Sequence, residues 1–147
     1  MNRISLDQAT RIIDAALTHA AGLKLKPLSI AVLDAGGHLV AFKCQDGSAI
    51  LRPQIAHGKA WGALGMGLGG RALAARAQKA PNFFASLASA SDGRLIPGTG
   101  GVLIRSSQGE VLGAVGVSGD LPDHDEACAV RGIEQAGLTA DPGEETV

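Results

Sequence analysis

Two pairs of short apolar runs constrain the fold of this 147-residue chain more than any other feature. The first pair is Leu28 to Asp34 (LSIAVLD) and His38 to Lys43 (HLVAFK), with Ala35-Gly36-Gly37 between them. The second is Gly101 to Arg105 (GVLIR) and Glu110 to Val117 (EVLGAVGV), joined across Ser-Ser-Gln-Gly. Short β-branched runs bounded by glycine and serine read as strands. A link of so few turn residues returns the chain beside itself, so each pair is an antiparallel hairpin. Parallel strands would need a long crossover.

Helical spacing fills the rest. From Ser5 to Ala21, Leu6, Ala9, Ile12, Ile13, Ala16, Leu17 and Ala20 fall on one face. Ser5 with Gln8 has the pattern of a capping box, and Gly22 fits the left-handed position after the helix. Pro53 opens PQIAHGKAWGALG, which GMGLGG then breaks. RALAARAQK and PNFFASLAS are two shorter helical pieces separated by Pro81. A last helix runs from Asp123 to Ala136, with Pro122 near its first turn and Gly137 near its end. Residues 138–147 read as a frayed tail. The order helix, hairpin, helices, hairpin, helix implies an α+β chain forming one domain, 1–147: a single antiparallel sheet covered by helices.

The net charge of −1, without any basic run, gives no electrostatic reason to expect nucleic acid or an anionic membrane. No apolar run is long enough to span a bilayer, and MNRISLDQATRI has no apolar signal segment, so a cytoplasmic location is expected. Cys44 and Cys128 form no CxxC pair and read as two reduced thiols.

Chemistry concentrates at GAVGVSGDLPDHDE, Gly113 to Glu126. Asp120 can cap a helix there, and Asp123, Asp125 and Glu126 complement its positive end. A pair such as Asp123 and Glu126, three apart, could share an ion, but no metal is expected. Alternatively, the amides of Ser118 and Gly119 at the strand-to-helix junction attract an anion. If the second hairpin pairs as expected, Thr99, Gly100 and Gly101 emerge at the same end. The two glycine-rich edges would then line one pocket for a carboxylate or phosphate.

The helix after Pro53 carries His57, Lys59 and Trp61; in a pocket Lys59 would pair with a ligand carboxylate. Asp46 sits either in a turn after the first hairpin or at the sheet rim near Arg52. The letters G-x-G-x-x-G from Gly65 to Gly70 follow a helical stretch rather than a strand, so they mark a hinge and not a dinucleotide site.

Together these blocks resemble the GlcG/HbpS family of haem-binding or haem-degrading proteins, and the C-terminal domain of some corrinoid adenosyltransferases. The family run V-D-x-x-G-x-L-V-A-x-x-R-x-D-G-A is matched by LDAGGHLVAFKCQDGS, A-x-x-K-A by AHGKA, and G-G-V-P-I by GGVLI. Its G-x-I-G-A-I-G-V-S-G and acidic D-E are matched by EVLGAVGVSG with Asp125 and Glu126. The departures include Ser48 for alanine and Leu103 for proline. The resemblance implies a profilin-like sheet of about five strands flanked by helices, assembly into homo-oligomers, and haem as ligand, with His57 the best histidine candidate to hold it.

Three functions follow as expectations. The first is haem or tetrapyrrole binding through the glycine-lined pocket, with His57, Lys59 and Arg52 beside it. The second is a catabolic enzyme acting on a carboxylated metabolite, which Lys59 and Arg52 would hold while Asp46, Asp125 or Glu126 serves as acid or base. The third is a non-catalytic oligomeric sensor or scaffold.

Overall fold

The computed structural model describes residues 3–144. Helix α1 (Leu6–Leu23) leads into strands β1 (Ser29–Asp34) and β2 (Leu39–Cys44). Helices α2 (Arg52–Met66), α3 (Gly70–Lys79) and α4 (Pro81–Ala90) follow. Strands β3 (Gly101–Arg105) and β4 (Val111–Ser118), helix α5 (Pro122–Gln135) and strand β5 (Thr139–Asp141) complete the chain. The strands form one antiparallel sheet in the order β2-β1-β4-β3-β5.

Both hairpins stand as read. The second places Gly101 opposite Gly116, so the two glycine-rich segments do leave the sheet at one end. The residues expected to fray hold a correction. Thr139–Asp141 pairs with β3, and Arg105 Nε donates to Asp141 Oδ2 at 2.9 Å. Pro142 O then accepts from the Arg71 amide, which ties the segment to α3. Residues 145–147 of that tail lie outside the described residues. The other correction concerns the end of α1. The helix runs through Gly22, and Lys24 takes the left-handed cap at φ 55°. The capping box of Ser5 with Gln8 is present.

Side chains alternate across β1, so each face has its own layer. Ile30 and Val32 join α1 and α5 residues such as Ile12 and Ile133 on one side. Leu33, Leu103 and Ala114 meet Ala60 and Ala63 of α2 on the other. Glycines of β3 and β4 explain why α2 lies so close. A methyl at Gly116 would fall on the Ala56 carbonyl, and one at Gly101 on the Lys59 carbonyl. The helix backbone therefore rests directly on the sheet. Among the described residues, no helix is long and apolar enough to cross a membrane.

Candidate functional site

The space between the two glycine edges belongs to the chain's own side chains. Close approach of α2 carries Lys59 across the end of β4, where Nζ donates to Val117 O at 2.9 Å and meets Asp125 Oδ2 at 3.4 Å. Lys59 is 7% exposed and Asp125 is 1% exposed. Asp125 Oδ1 accepts from the Asp120 amide at 3.0 Å. Gly101 N donates to Gly98 O. Gly100 combines φ 115° with a position where a Cβ would lie 2.9 Å from both Lys59 Nζ and Val117 O. A glycine is required there by the lysine, not by a guest.

The expected pocket for an anion is therefore corrected. The Asp120 amide does bind an anion, but it is the carboxylate of Asp125. Burial pulls Lys59 below its ordinary range and pushes Asp125 above its own. Each partner's charge opposes the shift of the other, and Arg52 adds to the lowering of Lys59. Arg52 donates through Nη1 to the Oγ of buried Ser118 at 3.1 Å. Thr99 lies half-buried in the turn before β3.

The remaining acids are dispersed, each with a separate task. Asp120 does not cap α5, whose first residue follows Leu121 without a side-chain cap. Its carboxylate accepts from the Lys26 amide at 2.9 Å, from the Leu121 amide at 2.8 Å, and pairs with His124 Nδ1 at 2.7 Å. These contacts, the Lys26 amide first, hold it far below the usual carboxylate range. Glu126 takes two hydrogen bonds of 3.0 Å from Arg71, whose Nη2 also reaches Asp123 Oδ1 at 2.7 Å. The acidic pair that could have shared an ion thus shares a guanidinium, which ties α3 to α5. Asp46 is exposed at a different place, in a groove beside Cys44 and Lys43. The structure does not bring Asp46, Asp125 and Glu126 together. Of the two free cysteines, Cys44 is exposed and Cys128 is buried.

His57 faces a different space, an apolar groove of about 670 Å³ between β2 and α2. Its floor comes from a bulge. The β1–β2 register shifts between Val32 and Leu33, so Leu39 opposes Leu33 while Phe42 opposes Ala31. Directly opposite residues share a face, so both side chains turn toward α2 although three positions separate them. Ile55 of α2 and Ile96 complete the apolar wall. Ile96 is held there because its amide donates to Gly58 O at 3.2 Å and its side chain occupies the place where Gly58 has none. Asp92 and Arg94 stand on the rim.

Sequence reasoning singled out His57 but expected it beside the glycine edges, and it missed the rest of the groove. Asp92, Arg94 and Ile96 lie in a link that carries no regular pattern, and the bulge is silent in the alternation of LVAFK.

A search of curated protein sequences returned no match. The family model described as "Haem degrading protein HbpS-like" matches residues 4–134. The chain belongs to the HbpS-like family. Solved structures of the same fold accompany it. Protein ORFY of Klebsiella pneumoniae superposes with a TM-score of 0.84 at 23% identity, covering 93% of this chain and 92% of that one. The PduOC:heme complex gives 0.82 at 23% identity, covering 92% and 96%. HbpS of Streptomyces reticuli, solved as a double mutant, gives 0.77 at 24% identity, covering 91% and 87%. At these identities the HbpS-like chain shares their fold, and its own residues must carry any argument about a ligand.

Proposed function

We propose that the protein binds haem or a closely related tetrapyrrole in the groove between β2 and α2. The observation that carries this reading is the pairing of apolar walls with one imidazole: Leu39, Phe42, Ile55 and Ile96 surround a space into which His57 projects. The volume, about 670 Å³, falls in the range of about 300–1,000 Å³ usual for small-molecule sites. A neutral imidazole suits iron, and flat apolar walls suit a macrocycle. Membership of the HbpS-like family and the likeness to a haem complex support the same ligand. Bound iron would supply redox chemistry; the chain supplies the imidazole and excludes water from one face.

Titrating the purified protein with haemin is expected to shift and sharpen the Soret band. His57→Ala is expected to remove that shift and weaken binding by about tenfold or more. An unchanged haemin spectrum with the parent protein, or identical spectra for parent and variant, would overturn the reading.

The enzyme reading loses its carboxylate cradle, because Lys59 and Arg52 hold Asp125 and Ser118. A homo-oligomer has one observation in its favour. Ile50 is 97% exposed and Leu51 is 56% exposed, side by side before α2. We assign this patch to contact with a second copy of the chain. Sedimentation of a lone monomer at micromolar concentration would contradict that assignment.

A further inference from the structure

We infer that Arg94 receives a carboxylate of the ligand, so that the groove selects tetrapyrroles carrying a free acid side chain. The inference rests on the tetrapyrrole reading above and adds a specificity residue to it. Arg94 is exposed on the rim of the groove, on the link between α4 and β3. Two contacts fix it. Its Nε donates to Ser91 O at 3.0 Å, and its guanidinium carbon lies 4.6 Å from the Trp61 ring centroid. The backbone beneath it is itself constrained, since Asp92 and Gly93 both hold positive φ, 55° and 77°. The ring face and the inner nitrogen are thus used. The two terminal nitrogens make no hydrogen bond among the described residues.

A guanidinium held this way is preorganised for a carboxylate, which it binds through two parallel N–H donors. Little side-chain freedom remains to be lost on binding. The apolar walls exclude a small hydrophilic anion as the preferred guest, because such an anion would leave them wet. A flat apolar body with an acid at its edge satisfies both halves of the site. Haem is such a molecule: its ring would lie on Phe42 and Ile96 while one propionate reaches the rim. Asp92, on the same rim, disfavours a ligand with several acids crowded at that point.

The experiment compares haemin with its dimethyl ester, titrated into the full chain and followed by Soret absorbance and by fluorescence of Trp61, the single tryptophan. The parent protein is expected to bind haemin about tenfold more tightly than the ester. Arg94→Ala is expected to abolish that preference and leave the Soret position unchanged, because His57 is intact. Arg94→Gln keeps much of the stem over Trp61 and serves if the alanine variant does not fold; it too should lose the preference. Equal affinity of the parent for acid and ester, or a preference that survives in both variants, would overturn the inference while the tetrapyrrole reading stands. Failure of the parent to bind either compound would overturn both.

Discussion

Lys59→Ala is expected to lower the free energy of unfolding by about 3–5 kcal/mol. The loss does not measure the strength of the ion pair. It measures what is left behind: a carboxylate at Asp125 that is 1% exposed and has no cation beside it. Val117 O would also lose its donor from Nζ. Burial already favours the neutral form of each partner. For that reason, replacing both with apolar groups should cost less than replacing the lysine alone. Lys59→Met with Asp125→Leu is expected to recover part of the loss but not all of it, because Asp125 also accepts from Asp120 N. Urea unfolding followed by circular dichroism separates these cases. A loss below about 1 kcal/mol for Lys59→Ala would mean that the pair is more solvated than its burial indicates. A lysine that served a ligand would behave differently, since its removal would cost binding and leave folding nearly intact.

Gly116→Val is expected to destabilise the protein by about 3 kcal/mol or more. Strand propensity alone argues the opposite sign, because valine is among the best strand formers and glycine among the worst. The outcome is decided by packing. The side chain would enter the backbone of α2 at the Ala56 carbonyl and Ala60 amide, which are not flexible ends that can move aside. The helix would have to lift from the sheet, exposing Leu33 and Leu103 and withdrawing Lys59 from Asp125. A thermal melt that shows a rise in Tm, or no change, would contradict the close seating of α2 on β4.

Much of this architecture was legible in the sequence because it rests on short-range rules. Turn glycines and β-branched runs specified both hairpins, though not the register shift between Val32 and Leu33. Proline at the start of α2, α4 and α5 marked those helices. What escaped depends on contacts between distant segments. Strand β5 is three residues long and stands only because Arg105 and β3 receive it. The acidic block after β4 looked like one feature, yet its members separate in space. Asp120 answers the Lys26 amide, Glu126 answers Arg71, and Asp125 answers Lys59. Sequence proximity cannot reveal that, since consecutive helical residues point in different directions. The glycine edges were placed correctly at one end of the hairpin, but Lys59, a helix away, occupies the space they frame. Only the burial of its ammonium shows that it belongs to the scaffold.

The most direct test of where the ligand sits is a crystal structure of the protein with haemin. The expected result is a macrocycle packed on Phe42 and Ile96, its iron within bonding distance of the His57 ring, and the Lys59–Asp125 pair undisturbed. A macrocycle seated between residues 98–101 and 118–120, with that pair broken apart, would contradict it.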